Sequence, residues 1–299
     1  MKHHYVPQFL LKRWANAAGK VHVFQVRDRT ISGRARKPEY TGFEYDLYGL
    51  VANALGVGED HIEKRLFGPI DSNAAIVLGK LEYHEPLNED QHVAWTFFLS
   101  SLRIRQPDVL AFLRKTGMDR LKANLAKRDT ATLPPGAMST EQWFSRTYPG
   151  AIEAVPLINW LPRMILHDDV TAAFGEMRWW IREFDADEPA LLLSDLPIHW
   201  EGGFETERFM IQLPVGPRRV FFGARSKHTE EVLDAIPQHQ LVQRINRTTL
   251  ASSGGRVWAC DDVGSRDIIA ANLDIFGVNA VDFASLAPWA KSSAPGDCT

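Results

Sequence analysis

The chain begins with the stretch MKHHYVPQFLLKRW, residues 1–14, which decides how the N-terminus joins the fold. Two adjacent histidines, His3 and His4, precede Pro7. Proline suits the first turn of a helix, because its missing N–H needs no partner there. The helix that follows would carry an apolar stripe of Phe9, Leu10, Leu11 and Trp14. We therefore expect this terminus to dock on the protein and to carry both imidazoles inward.

Length and charge restrict the class of protein. With 299 residues, 45% of them hydrophobic, the chain can form one large domain or two intimately packed lobes. Its net charge of −3 argues against a general nucleic-acid coat protein, since such domains are usually strongly basic. Two basic segments, 27–37 and 114–128, are interpreted as solvated faces, with a phosphate-binding groove as the alternative.

Cysteine usage and hydropathy indicate a compartment. The two cysteines, Cys260 and Cys298, do not form a disulfide framework, and a reducing cytoplasm is their natural environment. The N-terminus lacks the apolar region of a signal peptide, and no apolar run is long enough to span a bilayer. We therefore expect a cytoplasmic protein that does not partner a membrane.

Hydrophobic periodicity predicts an α+β protein. Alternation over 21–26 predicts a strand, with a hairpin partner at 29–31. Helical spacing dominates 59–128, and Asn88 with Gln91 forms a capping-box pattern at the start of one helix. The fold class is therefore α+β, with a helical middle segment packed on a mixed or antiparallel sheet built from N-terminal and C-terminal strands.

The C-terminal half is read as strands followed by helices. Residues 177–184 are predicted to pair with 190–193, and 209–213 with 219–223. We expect one domain over 1–287, with two lobes meeting near 130–140 as the alternative. The Ser, Pro and Gly content of 288–299 predicts a flexible tail.

His3 and His4 are the first candidate site residues. Imidazole is the commonest neutral metal ligand and the best acid or base near pH 7. Adjacent residues of an extended segment point to opposite sides, so at most one ring is expected to face a given pocket. The alternative is structural, with one ring hydrogen-bonded to backbone and the other packed in the core.

Asp195 is the second candidate. The segment Ser194–His199 follows the apolar run Leu191–Leu193, and the end of a buried strand is a rigid mount for a functional group. The carboxylate would orient a histidine or share a metal. Alternatively, Asp195 caps the turn by accepting hydrogen bonds from backbone N–H groups.

Glu63, Arg103 and Arg105 form the third constellation. Glu63 lies beside the apolar stripe of a helix, and both arginines end a helix that is otherwise strongly apolar. A charge in such a place is rarely buried without a partner. An arginine here could hold a phosphate or carboxylate through two hydrogen bonds, or form a structural ion pair.

Established catalytic signatures are absent from the sequence. It has no P-loop, no His-Glu-x-x-His and no Gly-x-Ser-x-Gly, and Gly56-Val57-Gly58 lacks the third glycine of a dinucleotide site. Whether a metal or another cofactor binds is left open.

Several short motifs carry a family resemblance. They are the opening His-His-Tyr-Val-Pro-Gln-Phe-Leu-Leu, Arg105-Gln106-Pro107, and Ser194-Asp195-Leu196-Pro197. With these motifs the chain resembles a bacterial family of uncharacterised proteins, domain-of-unknown-function family 4238. Gln106 and Leu196 replace a threonine and an asparagine of the family pattern. The resemblance implies the extent of the domain and supplies no mechanism.

Two functional hypotheses follow. The first is an intracellular bacterial hydrolase that acts on a phosphodiester or nucleotide, including a nuclease-like toxin or defence effector. Its partner would be nucleic acid or a phosphorylated small molecule, and its candidate catalytic residues are His3, His4, Glu63, Arg105 and Asp195. The second is a non-catalytic binding or interaction module, in which the His, Asp and Arg groups form a structural hydrogen-bond network. Oligomeric state is left open.

Overall fold

A computed structural model describes residues 1–51, 54–203 and 206–279 of the chain. It confirms the α+β class, with three antiparallel sheets formed by N-terminal and C-terminal strands around a helical middle segment. The predicted tail, 288–299, lies outside the described residues. Within the described ranges, no helix has the length and apolar character required to cross a membrane.

The N-terminal segment docks on the protein as the opening motif predicts. Its elements are β1 (Lys2–His4), α1 (Gln8–Lys12), β2 (Val21–Arg27), β3 (Thr30–Arg36) and β4 (Phe43–Tyr45). Strand β1 pairs antiparallel with β4, and Pro7 immediately precedes α1. Trp14 is fully buried, and its indole N–H donates to the carbonyl of Leu191 at 2.8 Å.

The middle of the chain is helical. A π-helical turn (Glu63–Phe67) leads into α2 (Gly68–Glu82), and the later helices are α3 (Glu89–Ile104), α4 (Pro107–Thr132), α5 (Thr140–Thr147), α6 (Ala151–Val155), α7 (Leu161–Ile165) and α8 (Asp168–Gly175). Asn88 and Gln91 form the predicted capping box at α3. Pro107 ends the preceding helical run and opens α4, because its ring fixes φ and it has no N–H to donate.

The remaining elements complete two four-stranded sheets. They are β5 (Arg178–Glu183), β6 (Leu193–Ser194), β7 (His199–Glu201), β8 (Met210–Gly216), β9 (Arg219–Ala224), α9 (Lys227–Ala235), α10 (Gln238–Ala251), β10 (Arg256–Ala259) and α11 (Val263–Ala270). One sheet has the order β3-β2-β10-β6 and the other β5-β9-β8-β7. Strands β8 and β9 form the predicted hairpin.

One predicted strand pairing is wrong. Strand β5 pairs with β9, and the apolar segment that follows it contributes only β6, which pairs with β10. The physical reason is the side chain of Asn246. It accepts from the backbone N–H of Leu192 at 2.9 Å and donates to the carbonyl of Ala190 at 3.0 Å. These backbone groups therefore have no need of a neighbouring strand.

The largest buried cluster joins distant parts of the chain. Trp95 of α3 contacts Phe98 and Phe221, with ring centroids 5.0 and 5.2 Å apart. Trp258 of β10 belongs to the same cluster, and its indole N–H donates to Thr41 Oγ1 at 2.8 Å. The N-terminal segment, the middle helices and the C-terminal strands are therefore packed on one core.

Candidate functional site

His3 lies at one end of a series of connected side chains, which we call the buried polar chain. Its members are His3, Tyr48, Glu63, Phe67 and Arg105. The side chain of His3 is fully buried and stacks on the ring of Tyr48, with the centroids 4.2 Å apart and the planes at 9°. Nδ1 accepts a hydrogen bond from the backbone N–H of Tyr48 at 3.2 Å, and Nε2 has no partner among the described residues. Burial and the N-terminal ammonium group lower the pKa of His3. The neutral ring therefore carries its proton on Nε2.

Glu63 continues this buried polar chain. Tyr48 donates its hydroxyl proton to Glu63 Oε2 at 2.5 Å. Burial raises the pKa of Glu63, and the hydrogen bond from Tyr48 opposes that change. Burial likewise raises the pKa of the Tyr48 hydroxyl. The pair holds the start of the π-helical turn against the segment that follows β4.

Arg105 is the cation of the buried polar chain. It is fully buried, and two of its nitrogens donate to the two carboxylate oxygens of Asp71 at 2.8 and 3.0 Å. Nη2 also donates to Ser101 Oγ at 2.7 Å, and the guanidinium lies 4.6 Å from the ring centroid of Phe67. These contacts occupy the face that a substrate anion would need. The geometry therefore fits the ion pair that the sequence left open.

His4 points away from His3, as the alternation of a strand requires. Gln8 Nε2 donates to His4 Nδ1 at 3.3 Å, and the ring lies against Phe43 with centroids 5.5 Å apart. Burial, with the nearby Lys2 and His3, lowers the pKa of His4 to about 4. His4 is therefore neutral near pH 7.

Asp195 holds the turn between α10 and β10. Its Oδ1 accepts from the backbone N–H of Gly254 at 2.8 Å and from Ser253 Oγ at 3.0 Å, while Oδ2 accepts from the backbone N–H of Arg256 at 3.0 Å. Burial raises the pKa of Asp195 against the opposing effect of these hydrogen bonds. Asp195 therefore accepts hydrogen bonds from backbone N–H groups, as the structural alternative predicts, but the groups belong to a turn 58–61 residues farther along the chain and not to the turn that Asp195 itself begins.

The structure brings together only part of the candidate set. His3, Glu63 and Arg105 lie along one buried chain that is connected through Tyr48 and Phe67. Within the described residues, Asp195 makes no hydrogen bond to either imidazole. Tyr48, which joins His3 to Glu63, was not singled out from the sequence.

An open cleft of 590 Å³ lies beside Asp195, and we call it the central cleft. Six parts of the chain contribute to it: Tyr5, residues 25–27, Glu44, residues 106–108, residues 195–196, and residues 254–256. Three of these parts belong to the motifs that carry the family resemblance. The motifs are far apart in sequence, and their convergence makes this cleft the candidate functional site.

Charged side chains face the central cleft without ion pairs. Arg27 and Arg256 line it, and neither forms an ion pair with a carboxylate of the described residues. Arg256 Nη1 donates to the Tyr5 hydroxyl at 2.6 Å. Burial raises the pKa of Tyr5 to about 12, so the phenol stays protonated at neutral pH. Glu44 and Asp108 are exposed on the same cleft.

Arg256 and Tyr5 were missed as functional residues. Arg27 was noted only as part of a basic segment. The signal that could have found Arg256 is its position directly after Ser253-Gly254-Gly255, where a turn delivers a charged residue to a strand. For a metal site, the part of the chain that the structure describes contains no group of three or more His, Cys, Asp or Glu side chains able to hold an ion.

Comparison with known proteins gives one match. A family model described as "Protein of unknown function (DUF4238)" matches residues 2–262. No curated protein and no solved structure matches the chain.

Proposed function

The chain belongs to the family described as a protein of unknown function (DUF4238), and from that premise we propose that the central cleft binds a small phosphorylated ligand of the nucleotide class. The observation that carries this proposal is the pair Arg27 and Arg256. Both guanidinium groups line the cleft without a carboxylate partner among the described residues. A phosphate would give these two arginines the ion-pair partner that they lack.

Arg256 is the principal anchor in this proposal. Its backbone is held by β10 and by the carboxylate of Asp195, so its position is fixed before a ligand arrives. The hydrogen bond to Tyr5 orients the guanidinium from one side. The planar group has further N–H donors that match two phosphate oxygens at once.

The carboxylates narrow the ligand class. Glu44 and Asp108 offer acceptors and repel a purely anionic ligand. A nucleotide carries a phosphate for the arginines and hydroxyl or amino donors for the carboxylates. The volume of 590 Å³ lies within the range of about 300–1,000 Å³ that is typical of small-molecule sites.

Hydrolysis of a phosphoester bond in this ligand is the reaction we propose. Of the candidate catalytic residues, His3, Glu63 and Arg105 do not support it directly, because each is hydrogen-bonded within the protein: His3 and Glu63 to Tyr48, and Arg105 to Asp71. His199, which could transfer a proton, lies instead in a smaller pocket that adjoins the central cleft.

A non-catalytic binding module is the second candidate. The buried polar chain supports it, since the hydrogen bonds of His3 and Glu63 attach the N-terminal segment to the π-helical turn, and that of Arg105 joins α3 to α2. As a binding module, the protein would hold the same ligand in the central cleft and would catalyse no reaction. Turnover by the purified protein separates the two candidates.

Calorimetric titration with nucleoside monophosphates tests ligand binding. We expect binding of at least one of AMP, GMP, CMP and UMP, weakened about tenfold or more by Arg256→Gln, which corresponds to about 1.4 kcal/mol. Arg36→Gln is the matched control, because Arg36 is an exposed arginine of β3 that does not line the cleft. Adenosine, which has no phosphate, should bind more weakly than AMP. Equal affinity for AMP in the wild type and in Arg256→Gln would overturn the proposal.

A further inference from the structure

We propose that Ser252 and His199 form a nucleophile and base pair that cleaves the phosphodiester bond of a ligand bound in the central cleft. This inference rests on the proposed function and names the reacting groups. The two residues line a pocket of 220 Å³ that we call the side pocket. The side pocket shares Gln106, Asp108 and Leu196 with the central cleft, so one ligand can extend from one to the other.

Ser252 and His199 are close enough for the imidazole to take the proton of the serine hydroxyl. Ser252 Oγ lies 3.2 Å from His199 Nδ1, within reach for the transfer of the hydroxyl proton. Ser252 directly follows α10 and is 6% exposed, and His199 is in β7, whose register with β8 fixes its backbone. Both residues are therefore mounted on regular structure rather than on a long loop.

The charges around His199 favour a neutral ring. Burial lowers the pKa of His199, as do the cations Arg103 and Arg244, while Glu201 raises it. A general base must be unprotonated at working pH, and these surroundings meet that condition. Asp108 also lines the side pocket, and its carboxylate is exposed.

Arg103 supplies a positive charge in the side pocket. Its guanidinium lies 3.9 Å from the ring centroid of Trp200 and forms no ion pair with a carboxylate of the described residues. Burial lowers the pKa of Arg103 to about 10, so it remains charged at neutral pH. A cation in this position would stabilise the negative oxygens of a phosphoryl group under attack.

The proposed reaction has two balanced steps. Ser252 Oγ attacks phosphorus and passes its proton to His199 Nδ1, and the bond from phosphorus to the leaving alcohol oxygen breaks as that oxygen takes the proton from His199. Water then attacks the phosphorylated serine and gives a proton to His199. The bond from phosphorus to Ser252 Oγ breaks, and Oγ recovers the proton. The products are a phosphomonoester and an alcohol.

Covalent labelling with diisopropyl fluorophosphate tests the pair without knowledge of the natural ligand. Attack by Ser252 would release fluoride and leave one diisopropylphosphoryl group on Oγ, which peptide mass spectrometry locates. We expect labelling of the wild type at Ser252, no label on Ser252→Ala, and labelling slowed about 100-fold in His199→Gln. The labelling rate should also fall as pH is lowered through the pKa of His199, an effect that a merely structural histidine would not produce.

Matched variants control for general effects of substitution. Ser145→Ala and His239→Gln should label like the wild type, because Ser145 is an exposed helix serine and His239 pairs with Glu188 outside the side pocket. An unlabelled wild type, a label on another residue, or an unchanged rate in His199→Gln would each overturn the pair. Arg256→Gln should still be labelled. Labelling at Ser252 in a protein that binds no nucleotide would support the pair and overturn the ligand class.

Discussion

The role of the buried charge of Arg105 could not be predicted from the sequence. Its position at the end of an apolar helix predicted either a bound anion or an ion pair, and nothing local could choose between them. The choice depends on Asp71, which lies one helix earlier and meets Arg105 only after α2 and α3 have packed. Arg105 already has three oxygens at hydrogen-bond distance, so few of its N–H groups remain for a substrate.

His4 should make the protein less stable in mild acid. Its pKa is about 4 in the folded protein and 6.5 in the unfolded chain, so the unfolded chain binds the proton first as pH falls. The contribution of His4 to stability is therefore expected to decline from pH 7 to pH 4 and then to level off, with a total loss of about 3 kcal/mol.

Urea unfolding of the wild type and of His4→Gln at several pH values checks this prediction. Glutamine keeps a polar side chain beside Gln8 and does not titrate. As pH falls, the unfolding free energy of His4→Gln should rise relative to that of the wild type. His22→Gln is the control, since His22 lies in β2 outside this contact. A constant difference between wild type and His4→Gln would contradict the prediction.

At the scale of elements, the turn between α10 and β10 depends on one carboxylate. Asp195 accepts hydrogen bonds from two backbone N–H groups and one hydroxyl of that turn, and its own N–H donates to the carbonyl of Arg256 at 3.0 Å. The turn delivers Arg256 to the central cleft. Asp195 therefore acts on the ligand through Arg256 and is a positioning residue in the proposed site.

Asp195→Ala should loosen this turn and weaken ligand binding together. Loss of the carboxylate leaves donors of the turn without an acceptor, at a cost of about 2 kcal/mol. Hydrogen exchange at the amides of Gly254 and Arg256 should speed up, and AMP affinity should fall. Asp187→Ala, in an exposed turn, is the control. Unchanged exchange at both amides would show that the carboxylate does not hold the turn.

Strands and helices with strong local patterns could be predicted from the sequence. The alternation of β2 and the capping box of α3 are local signals, and the structure confirms both. Strand partners could not be predicted in this way, because a run of leucines indicates that a segment is buried but not which segment pairs with it. Asn246 took the place of a strand partner for the segment before β6, and it lies more than 50 residues away.

The site is harder to predict than the elements for the same reason. Asp195 could be selected because a carboxylate after an apolar run is unusual in its own right. Arg256 and Ser252 look ordinary in the sequence, and they matter only because the turn between α10 and β10, which joins them, meets β2, α4 and β7 in space. Chemistry that is assembled from distant segments leaves no local signal.

At the scale of the whole molecule, the largest buried cluster is expected to make unfolding a single event. Trp14 belongs to the same buried cluster as Trp95 and Phe221, so the N-terminal segment, the middle helices and the C-terminal sheet share it. One domain is then expected to unfold in one transition, whereas two lobes meeting near 130–140 would give two.

Trp14→Phe tests this expectation. The substitution removes the hydrogen bond to the carbonyl of Leu191 and leaves a gap in a close-packed core, with an expected cost of about 3 kcal/mol. Far-ultraviolet circular dichroism and tryptophan fluorescence should report the same lowered midpoint in urea, because all parts of the chain lose support together. Trp143→Phe is the control, since Trp143 is 46% exposed on α5 and its replacement should leave the midpoint nearly unchanged. Two separated transitions, with only one of them shifted by Trp14→Phe, would establish two lobes in place of one domain.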